Sequence, residues 1–143
     1  MFDNIADLID KIRLGEDSYL ELKEVRFAGQ KVSSPHKDSL ADELAAFANS
    51  RGGVCVLGVD DAREVLGIPL ERLDLVEDFV RQICLDSITP PLTPVIERLT
   101  LPSTAGEQLP VLKVDVMSSL FVHKSPGGYL HRVGSAKREM APD

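Results

Sequence analysis

The chain has 143 residues, 43% apolar and 27% charged, with a formal net charge of −7. That length suits one domain with a sizeable core, and the acidic balance excludes a uniformly basic, non-specific nucleic-acid coat. No apolar run approaches the roughly 20 residues of a membrane span, and Asp3, Asp7 and Asp10 do not fit a secretory leader, so the expected setting is cytoplasmic, with no membrane partner.

In chain order, Phe2, Ile5, Leu8, Ile9 and Ile12 recur at helical spacing and predict a short amphipathic helix over 1–14, ended by Gly15. Tyr19–Arg26 alternates, with Leu20 and Leu22 on one face and Glu21 and Lys23 on the other. This predicts a half-buried strand. Gly29, Ser33, Ser34 and Pro35 mark Ala28–Lys37 as a polar loop. Asp38 or Ser39 is placed to cap the next helix, whose apolar stripe is Leu40, Leu44, Phe47 and Ala48. Asn49 and Gly52-Gly53 stop it, because both residue types tolerate positive φ. Val54–Val59 is a continuous apolar run, typical of a strand buried on both faces, and it ends at Asp60-Asp61. A short strand is expected at Glu64–Leu66 and an amphipathic helix at Leu73–Ser87, stopped by Pro90-Pro91. Strands follow at Thr93–Thr100, Leu109–Val116 and Tyr129–Val133, and 134–143 reads as a polar tail. The order predicts a single mixed α/β sheet with helices packed on it, in one domain spanning 1–143.

Cys55 falls inside the apolar strand and Cys84 inside a helical pattern, without metal-ligand spacing, so both read as buried reduced thiols. Charge is unevenly spread. Residues 23–37 carry a net +3 and residues 123–138 a net +4, leaving −14 on the remainder. A basic face on an acidic body is one reading, and solvated loop cations are the other.

Three groups of residues carry candidate chemistry. Glu16, Glu21 and Glu24 belong to the first strand and its approach, and Asp60 and Asp61 end the central strand. If the two strands are neighbours, three of these carboxylates converge on a site suited to Mg²⁺ or Mn²⁺, and such a metal activates water against a phosphodiester. The competing reading is solvated surface acids. Asn49, Gly52 and Gly53 form a turn whose backbone N–H groups can approach an anion, though neither a P-loop nor a dinucleotide fingerprint is present. A purely structural helix stop is the alternative there. Arg132 on the last strand, Ser135, Lys137 and Arg138 after it, and Lys23 on the first strand offer donors to phosphate. No histidine pairs with a nucleophile in the pattern, so hydrolysis by a nucleophilic side chain is not expected.

Taken in order, four blocks resemble the Schlafen AlbA-type DNA-binding domain, over roughly Gly15 to Lys137. They are Glu16 with Glu21-Leu22-Lys23, then Ala46-Phe47-Ala48-Asn49-Ser50-Arg51-Gly52-Gly53, then Leu57-Gly58-Val59-Asp60-Asp61, and finally Tyr129-Leu130-His131-Arg132-Val133-Gly134-Ser135. The resemblance implies a mixed α/β domain. From bacterial and archaeal members it implies a DNA-binding module of a transcriptional regulator, often followed by a C-terminal winged helix. From animal members it implies a metal-dependent ribonuclease whose three carboxylates match Glu16, Glu21 and Asp60. Arg51 stands where the family often carries an acid. The expected function is nucleic-acid binding, DNA or RNA, with Lys23, Asn49, Gly52, Gly53, Arg132, Ser135, Lys137 and Arg138 around the ligand. A Mg²⁺- or Mn²⁺-dependent ribonuclease is the alternative. A homodimerisation module using the Phe2–Ile12 helix is a second alternative.

Overall fold

Asn4 accepts the Asp7 N–H at 2.8 Å and so caps the first helix, α1 (Ile5–Leu14), which Gly15 ends at φ +92°. The computed structural model describes residues 4–141; Phe2, at the start of the expected apolar stripe, lies outside them. The elements that follow are β1 (Leu20–Lys23), β2 (Arg26–Ala28), β3 (Lys31–Ser34), α2 (Lys37–Ala48) and β4 (Gly53–Leu57). After them come α3 (Leu73–Asp86), β5 (Val95–Pro102), β6 (Gln108–Val116), β7 (Leu130–Val133) and β8 (Ala136–Glu139).

Four strands form a mixed sheet in the order β1-β4-β6-β5. β1 and β4 are parallel, and the other two pairings are antiparallel. On one face α1 buries Leu8 and Ile12 against Leu20, Leu22, Val54 and Val56. On the other, Leu44 and Phe47 of α2 and Val76 and Val80 of α3 pack on Cys55, Leu57, Leu112 and Val114. β4 is therefore buried throughout, as its unbroken apolar run requires. Both thiols are free and buried, and burial pushes Cys84 up to about 11 and Cys55 higher still.

The register decides the site. Glu21 lies level with Cys55 and Lys23 with Leu57. Side chains alternate along a strand, so Glu21 and Lys23 enter the α2–α3 layer. The expectation of a solvent-facing polar side for β1 fails there, because Glu21 is buried.

The mixed sheet is present, but two hairpins lie outside it. β3 and the last residue of β2 fall in Ala28–Lys37, the segment expected to be a loop, and β2 begins at Arg26, the expected end of the first strand. Phe27 and Val32 rest on the helical layer, and the Arg72 guanidinium sits 4.5 Å over the Phe27 ring while donating to the Gly29 carbonyl. The expected tail contains β8, which pairs with β7 around Gly134 at φ +62°. Glu64–Leu66 forms no strand; Val65 alone bridges Val59. The cap of α2 is His36, whose Nδ1 accepts the Asp38 N–H, in place of Asp38 or Ser39. Among the described residues no helix is long and apolar enough to cross a membrane.

Candidate nucleic-acid interface

β7 carries Arg132 into the gap between the β1 edge and α2, where its guanidinium loses all contact with solvent. Nη1 donates to Glu21 Oε2 at 2.9 Å and to Glu43 Oε2 at 2.8 Å. Nη2 donates to the Leu20 carbonyl at 3.2 Å and to that of Asp17. The cation also lies 4.6 Å over the Phe47 ring. Lys23 Nζ stands 3.3 Å from the second oxygen of Glu21, and Lys137 Nζ 3.2 Å from the second oxygen of Glu43. Three cations thus share two carboxylates. Burial raises the Glu21 carboxyl above its ordinary value, and the nearby Glu16 charge adds to the rise. Burial also opposes the Lys23 charge, but Glu21 and Glu43 outweigh it and hold that ammonium above its usual pKa.

This cluster reassigns several residues expected at phosphates. Arg132 points inward with both terminal nitrogens engaged, and Lys23 and Lys137 are tied to carboxylates. Asn49 is a clasp. Its Nδ2 donates to the carbonyls of His123 and Leu130, and its Oδ1 accepts the His123 N–H at 2.7 Å. Its φ is −79°, so the left-handed turn expected of it belongs to Gly52, at +80°. Gly52 and Gly53 are needed for close packing. A Cβ on Gly52 would stand 2.7 Å from the Val116 carbonyl oxygen, and one on Gly53 2.2 Å from the Phe47 ring.

The carboxylates expected to converge do not all meet. Glu16 reaches back to accept the Leu22 N–H at 2.9 Å, which covers an edge-strand donor and brings it near Glu21. Asp60 lies past the C-terminal end of β4, the far end of a parallel pair whose N-terminal approach holds Glu16. There Asp60 accepts the Glu64 N–H and shapes the turn. Among the described residues no three His, Cys, Asp or Glu side chains are grouped to hold a metal ion.

What faces outward is a different set. In the β7–β8 ladder Arg132 is opposite Lys137, and His131 is opposite Arg138. Arg132 and Lys137 face inward, so His131 and Arg138 share the outer face. Ser135 is exposed in the turn. Beside His131 opens a cavity of about 380 Å³, lined also by Ser18, Tyr19, Ser50 and the exposed Arg51.

Sequence reasoning also missed a histidine network. His123 Nδ1 is 2.6 Å from the Pro90 carbonyl, which can only accept, so Nδ1 carries the proton. Nε2 then accepts from Ser119 Oγ at 2.8 Å. The Asn49 clasp and these two bonds pin the segment from β6 to β7. The i, i+4 spacing of Ser119 and His123 was visible, but the Pro90 carbonyl is a tertiary partner.

A family model described as Schlafen, AlbA_2 matches residues 16–141. The chain belongs to the Schlafen AlbA_2 family. The match takes in β8, so the hairpin is part of the AlbA_2 domain. Among solved structures, the DIP2311 protein from Corynebacterium diphtheriae is similar, at 23% identity and a TM-score of 0.58. The likeness covers 86% of this chain and 22% of that one, and it supports the fold. The AlbA_2 chain thus spans less than a quarter of that structure's length.

Proposed function

We propose that this AlbA_2 domain is a nucleic-acid-binding module, serving as the DNA- or RNA-gripping part of a regulator. The observation that carries the reading is the outer face of the β7–β8 hairpin. Arg138 and His131 are direct cross-strand neighbours there, and Arg51 lies beside His131 at the adjoining cavity. Arg51 and Arg138 are exposed and have no carboxylate partner among the described residues. By contrast, Arg132, Lys23 and Lys137 spend their charge inside the fold. Ser18 and Ser50 add hydroxyl donors beside Arg51. Such contacts position a phosphate backbone without reading sequence. They also reconcile an acidic chain with an anionic ligand, because only a local face needs to be basic.

The test is fluorescence anisotropy of a labelled oligonucleotide across a salt series from about 50 to about 200 mM. Affinity should fall linearly on logarithmic axes. Arg51→Ala and Arg138→Ala should each lower the slope by about 1. Binding that is absent, or flat in salt, refutes the proposal.

A further inference from the structure

The hairpin's outer face carries more than charge. The ladder continues past Leu130, because the Tyr129 carbonyl accepts the Met140 N–H at 2.7 Å. Tyr129 is two residues before His131 and therefore on the same face. It is 49% exposed. Two rings then stand in a row along one strand, separated by roughly 6–7 Å, with the Arg138 guanidinium beside the second. Among the described residues of the hairpin no carboxylate shares this face: Glu139 is opposite Leu130, on the side of Arg132 and Lys137.

The ribbon is also rigid. Arg132 anchors it to Glu21 and Glu43 from beneath, Ser50 Oγ accepts the Arg132 N–H at 2.8 Å, and Asn49 holds the Leu130 carbonyl. A backbone held in this way lowers the ordering cost of presenting the rings at binding. An exposed tyrosine and a half-buried histidine next to cations without a carboxylate partner among the described residues match a chain that offers both bases and phosphates. A duplex hides its base faces in its own stack, whereas an unpaired strand can lay them on aromatic side chains.

We propose that Tyr129 and His131 form a base-stacking platform, flanked by Arg138 and Arg51 as phosphate contacts, which selects single-stranded nucleic acid over duplex. This rests on the nucleic-acid reading above. Tyr129 supplies the larger ring. His131 stacks toward the cavity, where Arg51 and Ser50 receive the phosphate that follows. Ser50 Oγ already accepts a backbone N–H, so its own proton remains to donate.

The experiment compares a labelled oligothymidine, a duplex of equal length and an abasic strand with the same phosphates, by anisotropy at fixed salt. The oligothymidine should bind at least tenfold tighter than either of the others. Tyr129→Ala should weaken it by about 5- to 150-fold without changing the salt slope, and Tyr129→Phe should restore it. The chain has no Trp and two Tyr, so in Tyr19→Phe protein the remaining tyrosine emission should be quenched by the oligothymidine and not by the abasic strand. Equal affinity for all three ligands, or an unchanged oligothymidine affinity in Tyr129→Ala, overturns the platform while leaving the nucleic-acid reading in place. Absence of salt-sensitive binding to any of them overturns both. The abasic comparison and the emission readout use protein with Tyr129 intact, so they decide the matter even if Tyr129→Ala folds poorly.

Discussion

Arg132 on β7 and Glu43 on α2 meet at 2.8 Å, with the arginine side chain sealed from solvent and the glutamate nearly so. The pair couples the last hairpin to the helix that lies on the sheet. Removing Arg132 leaves two buried carboxylates with one lysine each, Lys137 on Glu43 and Lys23 on Glu21, and the loss of the bridging charge costs up to about 3–5 kcal/mol. Arg132→Met should therefore lower the urea midpoint strongly. Arg132→Lys should recover little, because one ammonium cannot span two carboxylates and two carbonyls as the guanidinium does. Equilibrium unfolding of both variants checks this. A near-wild-type midpoint for Arg132→Met would show that the cluster contributes little.

Glu21 gives stability a predictable pH dependence. Its carboxyl is raised above 4.5 in the fold, chiefly by burial. The folded protein keeps this proton at a pH where the unfolded chain has released it. Stability contributed by this group therefore falls as pH rises from the unfolded value through the raised one. Glu21→Gln removes that component. Urea titrations from about pH 4 to about pH 7 should show the wild-type advantage over Glu21→Gln shrinking as pH rises. An advantage that grows with pH would contradict the burial argument.

Gly53 and Phe47 are matched in shape. Gly53→Ala drives a methyl group into a fully buried ring and should cost about 1–3 kcal/mol. Shortening the ring should relieve the clash, so Phe47→Leu with Gly53→Ala should be less destabilised than the two single effects predict. A double-mutant cycle by thermal unfolding measures the difference. Strict additivity would place the cost elsewhere.

Asn49→Ala should act locally and globally. Three hydrogen bonds are lost across the joint between α2 and the β6–β7 segment. At about 1 kcal/mol each, the loss is roughly 2–4 kcal/mol. Amide exchange should speed up first at His123, whose N–H is left without its acceptor. Asn49→Asp keeps that acceptor and loses both donors, so it should protect the His123 amide and still destabilise. Unchanged exchange at His123 in Asn49→Ala would remove Asn49 from this role.

The helices, the strands of the main sheet and the family were legible in the order of residues, because each is a local pattern. The unbroken apolar run of β4, the stripes of α1 and α3, and the helix–glycine–strand block around Asn49 and Gly53 need no distant partner to be recognised. The β2–β3 hairpin and β8 were not legible. Their runs are short and mostly polar, and the contacts that seat them, Phe27 with Arg72 and Lys137 with Glu43, are tertiary.

Composition and motif by themselves determined a mixed α/β domain of the AlbA_2 type, since period and turn chemistry are written residue by residue. Only the tertiary structure decided which cations remain free for a ligand. Arg132 looked like a phosphate contact beside its Gly-Ser turn, yet the strand register brings Glu21 under it and α2 brings Glu43. A charge withdrawn from water in that way is satisfied by its neighbours, which leaves the expected Arg138 on the outer face of the hairpin, and Arg51 at the cavity beside it, exposed without a carboxylate partner among the described residues.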